Sequence, residues 1–210
     1  AEKFGFQFAS SNEEDILKND KINTVIVLTR HQHHARQIIE ALQNKKAVYC
    51  EKPLAINEED LAFVENQLAS LENPLLTIGF NRRYAPFAIQ LNEFFKQRSE
   101  PLMIHYRINA GFLPSNHWLH DPLQGGGRIV GEGCHFIDFL SFLTNSLPVS
   151  VNARALSDGG RYHQDNCIIT LRYADGSLGT VTYLANGNKN FAKERIEVSA
   201  AEKLEFWMIS

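Results

Sequence analysis

The chain has few cysteines, little net charge and no long apolar run, and each shortage excludes a class of protein. Its three cysteines, Cys50, Cys134 and Cys167, are odd in number and far apart, which fits reduced thiols better than a disulfide framework. A net charge of −3 leaves no basic field that could hold nucleic acid. The apolar runs are too short to span a bilayer. We therefore expect a cytoplasmic globular protein that binds neither nucleic acid nor membrane.

A glycine-rich phosphate-binding turn is also lacking. No G-x-G-x-x-G occurs in the 210 residues, and Gly125-Gly126-Gly127 follows a loop rather than a strand. A complete dinucleotide fold opens with such a turn, which places pyrophosphate at a helix N-terminus. We therefore expect this chain alone to bind a dinucleotide weakly.

The most informative stretch that is present covers residues 47–54. An apolar run, Ala47–Cys50, stops at Glu51, Lys52 and Pro53, and proline cannot continue a central strand because it has no N–H. Ligands of open α/β sheets bind at the carboxyl ends of the strands, so Lys52 would have a short reach to a substrate. A surface Glu-Lys pair beside a turn is the alternative, and spacing alone does not separate the two.

Strands and helices alternate in the first part of the chain. The apolar runs 24–28, 47–50 and 75–79 indicate three short strands, and apolar residues at helical spacing separate them. This alternation predicts a parallel sheet with helical crossovers. Ser10 and Ser11, each with a glutamate three residues later, predict a capping box at the helix before the first strand.

The second part of the chain changes to a period of two. Apolar residues alternate with polar ones in four stretches, namely 104–108, 149–153, 169–173 and 196–198. This pattern predicts antiparallel strands with one covered face. The fold class is therefore α/β followed by α+β, with a partial Rossmann-like domain at residues 1–80 and a substrate or dimerisation domain at residues 81–210.

One helix in the second part, Cys134–Leu143, is apolar nearly all round. Its polar exceptions, His135, Asp138 and Ser141, lie three residues apart on one face, and Glu132 precedes them by one turn. A histidine suits removal of the O–H proton from an alcohol, because its pKa lies near working pH. A neighbouring carboxylate would fix its tautomer. The alternative is a core histidine satisfied by Asp138.

Three motifs, in this order, resemble the glucose–fructose oxidoreductase, inositol dehydrogenase and rhizopine catabolism (Gfo/Idh/MocA) family of NAD(P)-dependent oxidoreductases. That family carries a T-P-x-x-x-H-A turn, an E-K-P corner and a G-G-G-x-x-x-D-x-G-x-H-x-x-D helix. The matching residues are Thr29 with His34-Ala35, Glu51-Lys52-Pro53, and Gly125-Gly126-Gly127 with His135 and Asp138. The resemblance extends over essentially the whole chain.

The chain departs from the family pattern at two places. Arg30-His31 stand where Thr-Pro would lead, and Gly131 stands at the aspartate position four before the histidine, with Glu132 next. The run Gly125–Asp138 resembles a subgroup in which this unit is fused behind a zinc-type alcohol dehydrogenase domain. The resemblance also implies that the first half of the cofactor domain, on the order of 60 residues, is missing, so that the chain is a piece of a longer polypeptide, incomplete at its C-terminus as well.

The resemblance implies hydride transfer between nicotinamide and a sugar-like or polyol substrate. Lys52 would polarise the reacting oxygen, and His135 would be the acid/base, tuned by Glu132 or Asp138. The cofactor, NAD or NADP, would be contacted by Thr29, Arg30, His31, His34, Glu51, Lys52 and Asn81. No cysteine or acid completes a closed site around the histidines at 31–34, so no metal is expected.

Substrate contacts are predicted at Arg82, Trp118 and Asp121. Trp118 and Asp121 lie in the long loop 111–124, and long loops beside a site often bind substrate. Trp118 could instead plug the sheet edge. One of Arg82 and Arg83 is expected to be only solvated.

Two other classes of function are compatible with the sequence. One is a sugar-sensing or regulatory protein with the same fold and no turnover. Retention of both Lys52 and His135 favours chemistry, whereas Gly131 favours the sensor. The other is an assembly module, because the resemblance implies a sheet face used for symmetric homo-oligomers.

Overall fold

The computed structural model describes residues 2–157, 159–188, 190–201 and 203–209. Its contacts divide the chain into two compact units, Ala1–Gly79 and Phe80–Ser210. The division falls one residue before the boundary predicted from the change of periodicity. Among the residues described, no helix combines the length and the apolar character that a bilayer span requires.

The N-terminal unit is a three-stranded parallel sheet with helical crossovers, as predicted. Its strands lie in the order β1-β2-β3, with bounds β1 Thr24–Val27, β2 Ala47–Cys50 and β3 Leu76–Ile78. Its helices are α1 Glu14–Leu17, α2 His34–Gln43 and α3 Glu58–Ser70. Short 3-10 turns occur at Glu2–Phe4 and His31–His33.

Helix α2 supplies most of the helical part of this unit's core. Ile38, Ile39 and Leu42 are buried on the sheet beside Val48, as the i, i+1, i+4 spacing of one helix face requires. Helix α3 begins after Asn57, whose Oδ1 accepts a hydrogen bond from the Asp60 N–H at 2.7 Å. A neutral amide at this position satisfies a backbone donor that the helix itself cannot.

The predicted capping box at Ser10 and Ser11 is wrong. Helix α1 begins at Glu14, and its N-cap residue, Glu13, makes no side-chain cap hydrogen bond. The Ser10 hydroxyl donates instead to the Asp15 carboxylate at 2.5 Å. The Ser10 oxygen also accepts from the Asn12 N–H at 3.0 Å, but Asn12 precedes the N-cap residue Glu13, so this bond does not cap the helix.

The C-terminal unit is a six-stranded sheet with two helices, α4 Pro86–Phe95 and α5 Cys134–Thr144. The strands lie in the order β5-β6-β7-β4-β8-β9. Their bounds are β4 Met103–Asn109, β5 Pro148–Ala155, β6 Asn166–Tyr173, β7 Leu178–Leu184, β8 Glu194–Ala200 and β9 Lys203–Ile209. The pairing is mostly antiparallel, as expected, but β4 and β7 are parallel. The chain returns through α5 before it enters β5, and the two antiparallel pairings β5–β6 and β6–β7 then leave β7 in the direction of β4.

Helix α5 packs closely on β7. A Cβ added to Gly179 would lie 2.4 Å from Leu140 Cδ2, so any larger residue would require the Leu140 side chain to move. Strands β6 and β7 form an antiparallel hairpin, and Gly176 at its tip has φ +90°, where glycine has no steric penalty. These contacts fix the helix that carries His135 against a rigid sheet.

Candidate active site

The end of strand β2 places Glu51 and Lys52 at the carboxyl edge of the parallel sheet. The Lys52–Pro53 peptide bond is cis. The Glu51 carboxylate accepts from the Lys52 N–H at 3.3 Å and from the Tyr49 hydroxyl at 3.4 Å. Strand β2 ends at Cys50, so Lys52 follows a strand end, as the sequence predicts.

Strand β3 closes on this corner. The Gly79 N–H donates to the Cys50 carbonyl at 2.8 Å, and a Cβ at Gly79 would lie 2.7 Å from the Tyr49 hydroxyl and 3.1 Å from Glu51 Oε1. Burial, with the Glu51 charge, raises the pKa of the Cys50 thiol to about 12. Cys50 is thus an inert core thiol.

His34 connects two strand-end loops through its ring. Its Nδ1 lies 2.7 Å from the Pro53 carbonyl and its Nε2 lies 3.1 Å from the Thr29 carbonyl, and the residue is 0% exposed. Carbonyl oxygens only accept, so at least one ring N–H is used here. The implied contact between His34 and a cofactor does not agree with this burial. His34 is instead a bridge between the loop after β1 and the Lys52 corner.

The other residues expected near the cofactor lie in different surroundings. Thr29 and Arg30 are exposed, and the Thr29 hydroxyl donates to Gln37 Oε1 at 2.6 Å. His31 is buried, with its ring centroid 5.6 Å from that of His34. Asn81 is exposed at the start of a 3-10 turn in the C-terminal unit.

His135 lies in the first turn of α5, where it is 8% exposed. Its ring meets the edge of Phe80 with centroids 6.1 Å apart. Asp138, one turn on, binds Arg83 through both carboxylate oxygens, with Arg83 Nε 2.7 Å from Oδ2. These hydrogen bonds raise the pKa of the Arg83 guanidinium against the opposing effect of burial. The Asp138 carboxylate is therefore engaged by Arg83, which weakens the interpretation that Asp138 tunes His135.

Glu132 precedes His135 in a π-helical turn, Ile129–Gly133. Its carboxylate accepts from Arg128 Nε at 3.1 Å and from the Tyr183 hydroxyl. Burial, reinforced by the Glu132 charge, raises the pKa of Tyr183, so this hydroxyl remains a donor. Glu132 is thus held in place by two donors immediately before the helix that carries His135.

Arg82 has an internal partner, contrary to the prediction of a substrate contact. Its Nη2 lies 2.7 Å from Glu194 Oε1, and its guanidinium carbon lies 4.6 Å from the ring centroid of Phe136. The Tyr106 hydroxyl donates to the same carboxylate. Since Arg83 pairs with Asp138, the expectation that one of the two arginines is only solvated is wrong.

The loop residues predicted to bind substrate have local roles. Asp121 Oδ1 accepts from the Leu123 N–H at 2.8 Å and Oδ2 from Gln124 Nε2 at 2.6 Å. The first of these bonds is the main reason that the pKa of Asp121 is lowered. Asp121 is therefore a turn-forming residue. Trp118 is half-buried beside the His117 ring.

Arg128, Tyr183 and Glu194 were missed by sequence reasoning. Each is buried, and each belongs to an ion-pair or hydroxyl–carboxylate network. One signal was available for Tyr183, which stands at an inward position of an alternating strand. Arg128 could have been found as a lone charge between three glycines and an apolar pair.

Two models of one protein family match the chain. Residues 1–79 match the oxidoreductase family with an NAD-binding Rossmann fold, and residues 99–202 match the GFO/IDH/MocA C-terminal domain.

The chain belongs to the GFO/IDH/MocA oxidoreductase family. Among curated GFO/IDH/MocA relatives, the glucose-fructose oxidoreductase domain-containing protein 2 of Xenopus laevis is 26% identical over 219 residues, covering 97% of this chain and 56% of the relative. The inositol 2-dehydrogenase of Salmonella typhimurium strain LT2 is 32% identical over 117 residues, covering 54% of this chain and 35% of the relative.

A solved levoglucosan dehydrogenase, in complex with NADH and levoglucosan, superposes with a TM-score of 0.83 at 22% identity. The match covers 99% of this chain and 60% of that one, and it shows a shared fold. The chain spans about half the length of the first curated relative that it matches, 56%.

Proposed function

We propose that the whole protein is an NAD(P)-dependent oxidoreductase that acts on a carbinol carbon of a sugar-like or polyol substrate. The observation that carries this proposal is the position of Lys52, a cation directly after strand β2 in a unit that matches the NAD-binding family model. Parallel strands present ligand-binding groups at their carboxyl ends.

The residues at this edge suit a nicotinamide nucleotide. Thr29 and Arg30 follow β1 and are exposed, and Lys52 follows β2 and is partly exposed. Hydroxyl, guanidinium and ammonium donors of this kind fit the ribose and carboxamide of the cofactor. When bound, the nicotinamide would take or return the hydride. Nothing in this donor set distinguishes NAD from NADP.

The protein's own residues would move the proton. In the oxidation direction, Lys52 would hold the substrate oxygen and stabilise negative charge on it. His135 would take the O–H proton as the C–H bond breaks and would return it in the reverse reaction. Glu132, one turn before His135, would stabilise the imidazolium that forms. Glu51 would lie beside the nicotinamide end of the cofactor, because its carboxylate accepts from the Lys52 N–H.

The substrate class is proposed from the relatives. One of them is named for inositol and another was solved with levoglucosan and NADH. Both ligands are rings that carry several hydroxyl groups, so cyclic polyols and anhydro-sugars come first in a screen. Aldoses are the next class to test.

The experiment uses the full-length gene product. Absorbance at 340 nm is followed with NAD⁺ or NADP⁺ and a panel of myo-inositol, scyllo-inositol, levoglucosan and glucose. Lys52→Gln should abolish most turnover, because general acid/base and oriented cationic groups contribute about 10²–10⁴-fold. Lys45→Gln is the matched control, since Lys45 is exposed just before the amino end of the same strand. Equal activity in the two variants would refute the role of Lys52.

A sensor without turnover is the second candidate, and Gly131 favours it. This buried glycine stands where the family pattern places an aspartate. A protein that binds a member of the panel by calorimetry, yet produces no reduced cofactor with either nucleotide, would be a sensor. Production of reduced cofactor with any member decides for the oxidoreductase.

Two finer features also belong to the proposal. The resemblance of the run Gly125–Asp138 to a subgroup fused behind a zinc-type alcohol dehydrogenase domain predicts such a domain in the same gene. The open face of the six-stranded sheet, with Ile168 exposed on β6, is proposed to support a homo-oligomer.

A further inference from the structure

Arg128 is a buried cation in the C-terminal unit, and the proton-transfer scheme above does not use it. Only 4% of its side chain is exposed. It lies directly after Gly125-Gly126-Gly127 and directly before the π-helical turn Ile129–Gly133. A buried arginine is costly unless its donors are satisfied, so its partners show what it is for.

The guanidinium joins segments that are far apart in the sequence. Its Nη1 donates to the Gly111 carbonyl at 2.7 Å and lies 3.5 Å from Asp165 Oδ2. Its Nε donates to Glu132 at 3.1 Å, and its central carbon lies 5.2 Å from the Tyr183 ring centroid. The contacts therefore tie the start of the 111–127 loop to the start of β6, to β7 and to the turn before His135.

The charges around Arg128 are unequal. Two carboxylates, those of Asp165 and Glu132, face this one guanidinium. The Tyr183 hydroxyl is the further donor to Glu132. Arg128 thus compensates charge on Glu132 that would otherwise act on its surroundings, including the first turn of α5. A lysine at this position would carry the charge, but its donors lie on a single nitrogen and cannot reproduce the spacing of Nη1 and Nε, which bond Gly111 and Glu132 respectively.

We infer that Arg128 is a positioning residue, which holds the 111–127 loop and limits how strongly the Glu132 carboxylate favours the imidazolium form of His135. The effect on His135 rests on the proposed function. The effect on the loop does not.

The loop is tested in the full-length protein by hydrogen–deuterium exchange and mass spectrometry. Arg128→Gln should speed exchange of the backbone amides in residues 111–127. Arg98→Gln is the matched control, because Arg98 is also largely buried and bonds the Thr144 carbonyl at 2.7 Å and Asp175 at 2.8 Å. It should speed exchange near residues 144–147 and 173–177 and leave 111–127 unchanged. Unchanged exchange of 111–127 in Arg128→Gln would overturn the positioning role.

The effect on His135 is tested by the pH dependence of kcat/KM for alcohol oxidation, which needs the neutral imidazole. Arg128→Gln leaves Glu132 less compensated and favours the imidazolium, so the acidic limb should move to higher pH by about one unit. Arg128→Lys keeps the charge, so the acidic limb of kcat/KM should stay at its original pH. The exchange rate of the 111–127 amides should still rise, because the spacing of the guanidinium donors is lost. The double variant Arg128→Gln/Glu132→Gln should return the limb to its original pH or below.

The outcomes separate the two proposals. If loop exchange is faster in Arg128→Gln but the unsubstituted protein shows no turnover, the oxidoreductase proposal is rejected and the loop role of Arg128 stands. Normal turnover with an unmoved limb in Arg128→Gln rejects the coupling to His135. If the circular dichroism spectrum shows that Arg128→Gln does not fold, the exchange measurement is made on Arg128→Lys. Unchanged exchange of residues 111–127 in that folded variant rejects the loop role.

Discussion

The imidazole of His34 is joined to Pro53 by the 2.7 Å contact between its Nδ1 and the Pro53 carbonyl, and Pro53 directly follows Lys52. The opposite ring nitrogen faces the Thr29 carbonyl at 3.1 Å. One fully buried side chain therefore sets the spacing between the loops that follow β1 and β2. The bridge thereby helps to position the corner that carries Lys52.

Replacing His34 by alanine should destabilise the protein and loosen the Lys52 corner. The variant leaves the Pro53 carbonyl oxygen, which makes a buried contact with His34, without this partner, and an unsatisfied buried polar group costs about 1–3 kcal/mol. Urea denaturation measures the free energy of unfolding, and hydrogen exchange measures the amides of residues 51–54. His33→Ala is the control, because His33 is only half-buried and its ring contacts the neighbouring Gln32 side chain. Equal stability of the two variants would remove the bridge from this account.

Glu132 and Asp138 should respond differently to neutralisation in the full-length enzyme. Glu132→Gln removes a negative charge one turn before His135, which disfavours the imidazolium. The acidic limb of kcat/KM for oxidation should then move to lower pH. Asp138→Gln leaves Arg83 without its bidentate partner, so we expect lower stability and an unmoved limb. If only the Asp138 variant moves the limb, the tuning role returns to Asp138.

A methyl group at Gly79 should disturb the Glu51 corner. In Gly79→Ala the new Cβ would lie 2.7 Å from the Tyr49 hydroxyl, and overpacking of this kind costs about 1–3 kcal/mol. Tyr49→Phe removes the clashing oxygen, so the double variant Tyr49→Phe/Gly79→Ala should recover part of the loss. Thermal unfolding of the two single variants and the double variant completes the cycle. Additive losses would show that the two positions do not touch as described.

Arg82 should prove to be structural. Its side chain is 23% exposed and its partner Glu194 is 8% exposed, and removal of one member of a buried pair costs about 3–5 kcal/mol, a figure reduced here by the partial exposure. Arg82→Met should therefore lower the denaturation midpoint more than it raises KM. Glu194→Gln removes the charge that Arg82 pairs with, and Glu194 is not itself a predicted substrate contact, so this variant should lower the midpoint as well. A large rise in KM with unchanged stability would restore the substrate contact predicted from sequence.

Local patterns predicted the elements of this fold, and distant pairings escaped them. The strands of the N-terminal unit and the cap at Asn57 follow from residues within a few positions of one another. The partners of Arg82 and Arg83 lie 112 and 55 residues away, and no periodicity in a single sequence connects such pairs. The parallel pairing of β4 with β7 escaped for the same reason.

The candidate site was predicted in part. Motif spacing made Lys52 and His135 candidates, and the position of Glu132 one turn before His135 added a third; the backbone places Lys52 after the end of a strand. Sequence reasoning assigned Arg82 and Asp121 to substrate because polar residues near a site are candidates for binding. Their internal partners are known only from the fold, in which Glu194 pairs with Arg82 and the Leu123 N–H donates to Asp121.

The most direct test of the oxidoreductase account is the fate of the hydrogen on the carbinol carbon. The full-length protein is incubated in ordinary water with perdeuterated members of the polyol and sugar panel and oxidised NAD or NADP. Proton NMR then examines C4 of the reduced nicotinamide. Hydride transfer should place deuterium on one face of C4, and His135→Ala should produce this deuterated cofactor far more slowly. Reduced cofactor that carries only solvent hydrogen, or no transfer from any member of the panel, would contradict it.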